Sequence, residues 1–166
     1  MDTHKPGWVN IDFYPDSDVN LDLREALPFD DDSCSSIYSE HFFEHISYPE
    51  ETTVFLAESL RSMRSGGVFR VGVPDTEWCL TAYTDENSEY WKHAKNTWHP
   101  WCTTKLHHIN FHFRQGQEHK YAYDFETMKD VLEKAGFTNV TNSEFDPEKD
   151  SEVRRLGTLY VNCEKP

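Results

Sequence analysis

The sequence lacks several features that would each indicate a class of protein. It has no apolar run approaching the roughly 20 residues that a membrane-spanning helix needs. Its four cysteines are widely spaced and form no C-x-x-C pair, which favours reduced thiols over a disulfide framework. The polar start, MDTHKPGW, has no apolar segment of the kind found in secretory signal peptides. We therefore expect a cytoplasmic protein that does not enter a membrane.

Positive charge is also scarce. The chain has 16 lysines and arginines against 30 aspartates and glutamates, a formal net charge of −14, and no basic run. A surface of this charge repels phosphate backbones and anionic lipid headgroups at long range. Nucleic acids are therefore not expected among its partners.

Length and aromatic content predict one folded unit. The chain has 166 residues, 14% of them aromatic, which suits a single domain with a sizeable core. We predict one domain, 1–166, in which residues 76–118 form an insertion. This stretch holds four of the five tryptophans and five of the nine histidines, and its helical periodicity is poor. We expect it to pack over one end of a sheet as a lid.

Several short runs have the composition of β-strands. Three of them end in proline or at a turn-rich segment, and VFRVGVP is almost continuously apolar, as in a buried parallel strand. The predicted strands are WVNIDFY (8–14), SDVNLDL (17–23), CSSIYSEH (34–41), VFRVGVP (68–74), NVTNSEF (139–145) and TLYVNCE (158–164).

Two helices are predicted between these strands. The first starts after Pro49 and stops before Gly66, and its apolar residues repeat at helical spacing: Val54, Ala57, Leu60 and Met63, with Leu56. The second starts at the N-cap residue Asp124 and stops at Gly136. The order of elements predicts an α/β fold with a largely parallel sheet, whose final pair includes an antiparallel strand.

The string HFFEH, residues 41–45, matches the H-x-x-E-H zinc-protease pattern. That chemistry needs His41 and His45 on one side of a stable helix, and a third ligand from elsewhere. Pro49 leaves room for only a short helix, and nothing singles out Glu118 as a third ligand. We therefore interpret the string as the turn that follows a strand. A zinc site here, or one using His108 and His112, is the lesser alternative.

Three segments together resemble a class I S-adenosylmethionine-dependent methyltransferase of the type-11 group. The first segment begins with GWVNIDFYPDSDVNLDL, and the other two are FLAESLRSMRSGGVFRVGVPD and HKYAYDFETMKDVLEKAGFTNV. The whole resemblance covers residues 7–75 and 107–164. It implies a Rossmann-like methyltransferase fold with a mostly parallel sheet and helices on both faces. It also implies S-adenosylmethionine as cofactor and methyl transfer to an acceptor, which we expect to be a small molecule or a glycan.

The resemblance also assigns roles to particular residues. Asp12 occupies the place of the acid that accepts hydrogen bonds from the cofactor ribose, although it could equally be an exposed acid at a strand end. Asp22 would meet the adenine amino group, and Leu23 would pack on the adenine ring. The residues that would face the methionine part of the cofactor end the next strand: Ser39, Glu40 and His41.

Some acceptors require a base that removes a proton. Histidine titrates near neutral pH, so His41, His45 and His119 are the candidate catalytic residues. Each could instead be a hydrogen-bonded structural histidine.

One departure from the resemblance supports a different class of function. Methyltransferases of this class open with a first strand and a glycine-rich loop, roughly L-x-L-G-C-G, whereas only MDTHKP precedes GWVNID here, and the chain has no G-x-G. That strand would lie at the centre of the sheet. Either the chain is truncated, or a partner supplies the strand, or the sheet closes differently and cofactor binding has degenerated. The alternative function is therefore a catalytically inactive binding or interaction module with the same fold. Edges exposed by a missing strand would invite pairing, which leaves a homo-oligomer open.

Overall fold

The computed structural model describes residues 6–97 and 99–166, with the backbone alone at residues 95–97. The strands are β1 (Ile11–Asp12), β2 (Val19–Asn20), β3 (Cys34–Glu40), β4 (Met63–Pro74), β5 (Thr138–Ser143) and β6 (Thr158–Glu164). The α-helices are α1 (Glu50–Ser62), α2 (Thr76–Ala82), α3 (Glu89–Thr97), α4 (Lys105–Arg114) and α5 (Phe125–Ala135). Short 3-10 turns lie at Phe43–His45, Gln115–Gln117 and Glu152–Arg154.

The strands form two sheets. β1 and β2 make a parallel pair, and the larger sheet has the order β3-β4-β6-β5. β3 and β4 are parallel, whereas β6 is antiparallel to both of its neighbours. Strands β3, β4 and β5 therefore run in one direction and β6 in the other. The α/β class is confirmed, and so is the antiparallel strand in the final pair.

Within the described residues, no ladder of strand hydrogen bonds joins the pair β1-β2 to the larger sheet. β3 is the edge strand of the larger sheet on that side. The separation falls where the resemblance places the central first strand of the family.

One face of the larger sheet carries the main core. Phe69, Val71 and Val73 alternate along β4 and are buried, because successive strand residues point to opposite faces. They pack in one cluster with Leu56 of α1 and Leu132 of α5. Both helices thus cover the same face of the sheet.

The inner face of α1 differs from the prediction. Val54 is 46% exposed, whereas Phe55, Ser59 and Ser62 are buried. The two serines can be buried because Ser59 Oγ donates to the Phe55 carbonyl, 2.8 Å away, and Ser62 Oγ donates to the Ser59 carbonyl. Apolar spacing therefore predicted Leu56 and Met63 correctly, which are buried, but it included the exposed Val54 and missed the two serines.

The opposite face of the sheet is polar and lies against the segment 144–155 rather than against a long helix. Arg70 of β4 points to this face, and its guanidinium contacts the Glu144 carbonyl and the buried Asp150 carboxylate. The prediction places helices on both faces of the sheet. On this face Arg70 binds oxygens of the segment 144–155, and this segment covers the strand where an apolar helix was expected.

Residues 76–118 contain helices α2, α3 and α4, which their poor helical periodicity did not indicate. Side-chain caps explain the starts of two of them: Asp75 accepts from the Trp78 amide, and Thr104 accepts from the His107 amide. A second small core, which includes Tyr90 and Trp91, joins these helices. In the described parts of the chain, no helix is both long and apolar enough to cross a bilayer.

Replacing Asp124 with alanine is expected to destabilise the protein by about 1 kcal/mol, because the first turn of α5 loses its cap. Asp124 Oδ1 accepts a hydrogen bond of 2.8 Å from the Thr127 amide. Urea denaturation followed by circular dichroism measures the effect. An asparagine side chain can cap in the same way, so the Asp124→Asn variant should stay close to wild type at neutral pH.

The difference in stability between Asp124→Asn and the wild type should also depend on pH, and the direction follows from the pKa of Asp124. Hydrogen bonds from Thr127 hold the pKa of Asp124 below its ordinary value. A carboxyl whose pKa is lower in the folded state contributes fully above its unfolded pKa of about 3.9, and the contribution is lost as pH falls through the folded value. Asp124→Asn should therefore lose less stability on acidification than the wild type. An identical loss in both proteins would contradict this assignment.

Candidate functional site

A cavity of about 650 Å³ lies at the edge of the larger sheet where β3 and β4 end and β6 begins. His41 follows β3, Asp75 follows β4, and Thr158 opens β6; all three line the cavity. Its walls also include the aromatic side chains Trp78, Tyr90, Trp101 and Phe111 from residues 76–118. Ligands of open α/β sheets bind at this edge.

His41 enters the site because the chain turns sharply after β3. The residue has a left-handed backbone, φ 53°, and its amide donates to the Gly72 carbonyl at 2.8 Å. Its ring lies between two partners, with Nδ1 3.2 Å from Glu44 Oε1 and Nε2 2.8 Å from Thr158 Oγ1. The turn thus aims the imidazole across the start of β6.

The 3-10 turn Phe43–His45 fixes the next part of the site. Phe43 is fully buried in the main core and anchors the turn. The Glu44 carbonyl accepts from the amides of Lys120 at 2.6 Å and Tyr121 at 3.3 Å. These two bonds hold the chain after α4 against the turn and thereby bring His119 beside it.

Glu44 is the central charge of this region. Its side chain is only 2% exposed. Burial by itself raises the pKa of a carboxyl, but the hydrogen bond and charge of His41, with a smaller effect of His45, outweigh burial and lower the pKa of Glu44. The group is therefore a buried carboxylate rather than a neutral acid.

Two further histidines are close by. His119 Nδ1 lies 2.7 Å from the His112 carbonyl, and the His119 ring meets the His45 ring with centroids 5.1 Å apart. Burial lowers the pKa of His119, and it lowers the pKa of His112 to about 4. Both rings are therefore neutral near pH 7.

The structure brings all three predicted catalytic histidines into one cluster around Glu44. His41 and His119 line the cavity. His45 is not part of the lining, and its Nε2 lies 3.8 Å from Glu44 Oε1. In the sequence, Glu44 stands out only as part of the zinc-protease pattern, and Thr158 was not predicted. The H-x-x-E-H string was a usable signal for Glu44, but nothing local marks Thr158, which reaches the site through the pairing of β6 with β4.

The end of β3 presents two residues to opposite faces. Ser39 is buried, and its hydroxyl has no hydrogen-bond partner among the described residues. Glu40 Oε1 accepts from the Tyr160 hydroxyl at 3.0 Å and from the Ser151 amide at 3.2 Å, on the face that carries Arg70. Consecutive strand side chains point to opposite faces, so Ser39 and Glu40 lie on opposite sides of the sheet.

The three other predicted cofactor residues lie outside the cavity lining. Asp12 is exposed, and its Oδ1 accepts from the Phe13 amide at 2.6 Å. Asp22 is paired with Arg24, whose side-chain hydrogen bond is the main cause of the lowered pKa of Asp22. Leu23 packs partly buried against the main core. The roles of these residues stay predictions.

Comparisons with known proteins agree with this architecture. Residues 10–71 match a family model described as a methyltransferase domain, of the type-11 group. No curated protein sequence matches the chain.

Solved structures with the same fold are distant in sequence. A SAM-dependent methyltransferase from Archaeoglobus fulgidus is 17% identical with a TM-score of 0.56, over 93% of this chain and 74% of that one. A possible exported protein from Bordetella parapertussis is 13% identical with a TM-score of 0.56, over 89% of this chain and 43% of that one.

A third similar structure, a SAM-dependent methyltransferase from Methanosarcina mazei, is 13% identical with a TM-score of 0.50, over 87% of this chain and 65% of that one. The chain thus spans less than two-thirds of two of these three proteins. The resemblance found in the sequence is confirmed: the chain has the fold of the class I S-adenosylmethionine-dependent methyltransferases, and its residues 10–71 match their methyltransferase domain family.

Proposed function

We propose that this protein transfers a methyl group from S-adenosylmethionine to a small-molecule or glycan acceptor. The supporting observation is the cavity of about 650 Å³ at the carboxyl ends of β3 and β4, in a chain whose residues 10–71 match a methyltransferase domain. Small-molecule sites have volumes of roughly 300–1,000 Å³ and are concave with aromatic walls. The aromatic walls suit an acceptor with flat or apolar faces.

The residues at hand fit the cofactor in part. The Asp12 carboxylate uses one oxygen for the Phe13 amide, which leaves Oδ2 for a ribose hydroxyl. The buried Ser39 hydroxyl lacks a partner among the described residues and could donate to a polar group at the end of β3. The Asp22 carboxylate, by contrast, is held by Arg24 at 2.6 Å. An adenine amino group would have to share it with that guanidinium.

The bound cofactor supplies an electrophilic methyl group on its sulfonium. What remains for the chain is to hold the acceptor in line and to accept a proton where the acceptor must lose one. His41 is suited to the second task because Glu44 faces its Nδ1 and fixes the ring, while its Nε2 lies beside Thr158 at the cavity. This is the orientation logic by which a carboxylate selects the tautomer of a catalytic histidine.

A second candidate is an inactive binding module. The Asp22–Arg24 pair and the separation of β1-β2 from the larger sheet favour it. Under both candidates, the cytoplasmic location and the absence of nucleic-acid partners stay proposals that rest on charge and composition. A homo-oligomer is likewise a proposal.

Isothermal titration of the purified chain with S-adenosylmethionine separates the two candidates. The methyltransferase proposal predicts saturable binding with about one site per chain, and competition by S-adenosylhomocysteine, which shares the ribose and adenine. The absence of binding at millimolar cofactor, with the protein folded by circular dichroism, would remove the enzymatic proposal for this chain and favour the binding module.

A further inference from the structure

We propose that Glu44, His45 and His119 form a binding site for a divalent first-row transition-metal ion of the Zn²⁺ type. One ligand atom from each side chain can be chosen so that all three lie within 4.8 Å of one another. Imidazole nitrogens and a carboxylate are a donor set that such ions accept. The proposal stands on this cluster alone and does not depend on methyl transfer.

The hydrogen bonds of the two histidines orient both rings for a metal. His45 Nδ1 lies 3.2 Å from the Glu118 carbonyl, and His119 Nδ1 lies 2.7 Å from the His112 carbonyl. A carbonyl can only accept, so each Nδ1 carries the proton and each Nε2 keeps its lone pair. Metal-binding histidines typically donate their other N–H to a carbonyl or carboxylate in this way.

Glu44 supplies the independent observation. Its side chain is 2% exposed. His41 Nδ1 approaches Oε1 to 3.2 Å, but neither carboxylate oxygen has a well-aligned hydrogen bond among the described residues. A buried carboxylate in that condition is costly unless an opposite charge compensates it. A cation between Glu44, His45 and His119 provides the charge and uses the carboxylate lone pairs.

The distances require only modest closure. His45 Nε2 already lies 3.8 Å from Glu44 Oε1. Tetrahedral zinc with bonds of about 2.0–2.1 Å holds its ligand atoms about 3.3–3.5 Å apart. The separations of up to 4.8 Å among the three ligand atoms would therefore shorten by up to about 1.5 Å, through rotations of the two imidazoles and the carboxylate.

This site differs from the zinc-protease interpretation of the same string. His41 lies outside the 3-10 turn, so His41 and His45 do not share a helix face. His41 instead contacts Glu44 Oε1 through Nδ1, at 3.2 Å, where it orients the ligand carboxylate. The proposed third ligand is His119 and not the Glu118 carboxylate, because the cluster of ligand atoms includes His119 and not Glu118.

The proposed metal site would also have an open coordination position. Three protein ligands leave a coordination position for water or substrate, as in catalytic zinc sites. His119 belongs both to the cluster and to the cavity lining, so the ion would lie in the wall of the cavity. With His119 as a ligand, His41 is left as the cavity histidine able to accept a proton.

The test uses tag-free protein stripped with a chelator and dialysed. Elemental analysis after incubation with Zn²⁺ should give about one ion per chain, and the melting temperature should rise by several degrees. Glu44→Gln and His119→Ala should each weaken Zn²⁺ binding by more than the roughly 10–100-fold that loss of an outer-shell partner costs. Replacing Zn²⁺ with Co²⁺ should give visible absorption bands in the wild type but not in Glu44→Gln or His119→Ala.

Glu118→Gln is the matched control, because it removes a neighbouring acid yet keeps the carbonyl that orients His45. It should bind Zn²⁺ like the wild type, as should His107→Ala, which removes an exposed histidine of the insertion. His119→Gln replaces His119→Ala if the latter does not fold. Folded wild type without stoichiometric Zn²⁺ would overturn the proposal. Equal binding by folded wild type, Glu44→Gln and His119 variants would overturn it as well.

Discussion

Replacing Asp150 with alanine is expected to lower the free energy of unfolding by about 3–5 kcal/mol, because a buried guanidinium would lose its counter-charge. Arg70 Nε donates to Asp150 Oδ1 at 2.7 Å, and Arg70 also pairs with Asp150 Oδ2 through its terminal nitrogen. The Asp150 side chain is 0% exposed and that of Arg70 is 6% exposed. Water therefore cannot replace the lost carboxylate without opening the segment 144–155.

Other contacts raise the cost of this substitution. Asp150 Oδ2 also accepts from the Asp146 amide at 2.6 Å, so the loop loses an internal bond. Arg70 would keep Asn162 Oδ1, the Glu144 carbonyl and the Tyr160 ring, which are neutral partners. Neutral groups do not balance a buried positive charge.

Equilibrium urea unfolding measures the loss, with two controls. A double variant, Arg70→Met with Asp150→Leu, removes both charges and should recover most of the stability, because apolar pairs often replace buried ion pairs at little cost. Glu89→Ala breaks the exposed pair of Glu89 with Lys92 and should change stability by under about 0.5 kcal/mol. A loss of less than about 1 kcal/mol for Asp150→Ala would show that the pair is solvated in solution.

The pair also bears on the cavity. Segment 144–155 includes Val153 and Arg154, which line the cavity. Thr158, which contacts His41, follows shortly after the segment. Loosening the segment should therefore widen the cavity from the side of β6. Stability and site geometry are linked here through one ion pair.

Local patterns were sufficient to predict several elements. The apolar run 68–74 lies within β4, TLYVNCE is β6, and the N-cap Asp124 with Gly136 brackets α5. Each of these depends on chemistry within a few residues: alternation in a strand, a side chain capping an amide, or a glycine with φ 108° ending a helix. Tertiary context did not need to override them.

The contacts that the sequence did not indicate join distant residues. The 3-10 turn at Phe43–His45 receives its partner His119 only because the Glu44 carbonyl binds the Lys120 and Tyr121 amides. Likewise, Glu40 looked like a cofactor residue by its position in β3, but Tyr160 and Ser151 engage it on the other face. Neither sequence spacing nor composition encodes these pairings.

Asp22 shows the same limit at short range. Its position after β2 matches the acid expected at the adenine, yet Arg24, two residues on, donates to both of its oxygens at 2.9 and 3.0 Å through Nε. Arg24 also reaches Glu51 at the start of α1. The motif match therefore assigned a role to Asp22 without indicating that the Arg24 guanidinium already binds its carboxylate.

Replacing Asp12 with alanine is expected to raise the dissociation constant for S-adenosylmethionine by about 10–100-fold. Hydrogen bonds to a charged group are worth about 1.5–3 kcal/mol, and each 1.4 kcal/mol is about tenfold in affinity. Asp12 is exposed at the end of β1, and its carboxylate accepts only from the Phe13 amide among the described residues. The fold should therefore tolerate the change with little loss of stability.

Calorimetric titration of Asp12→Ala beside the wild type measures the effect, and Asp12→Asn should lose less because its carbonyl oxygen still accepts one hydroxyl. Asp30→Ala is the control for net charge, since it removes an exposed acid from a different loop. If the wild type binds the cofactor and Asp12→Ala binds equally well, the ribose lies elsewhere. The methyltransferase proposal would then survive without Asp12, because binding by the wild type is the separate result that decides it.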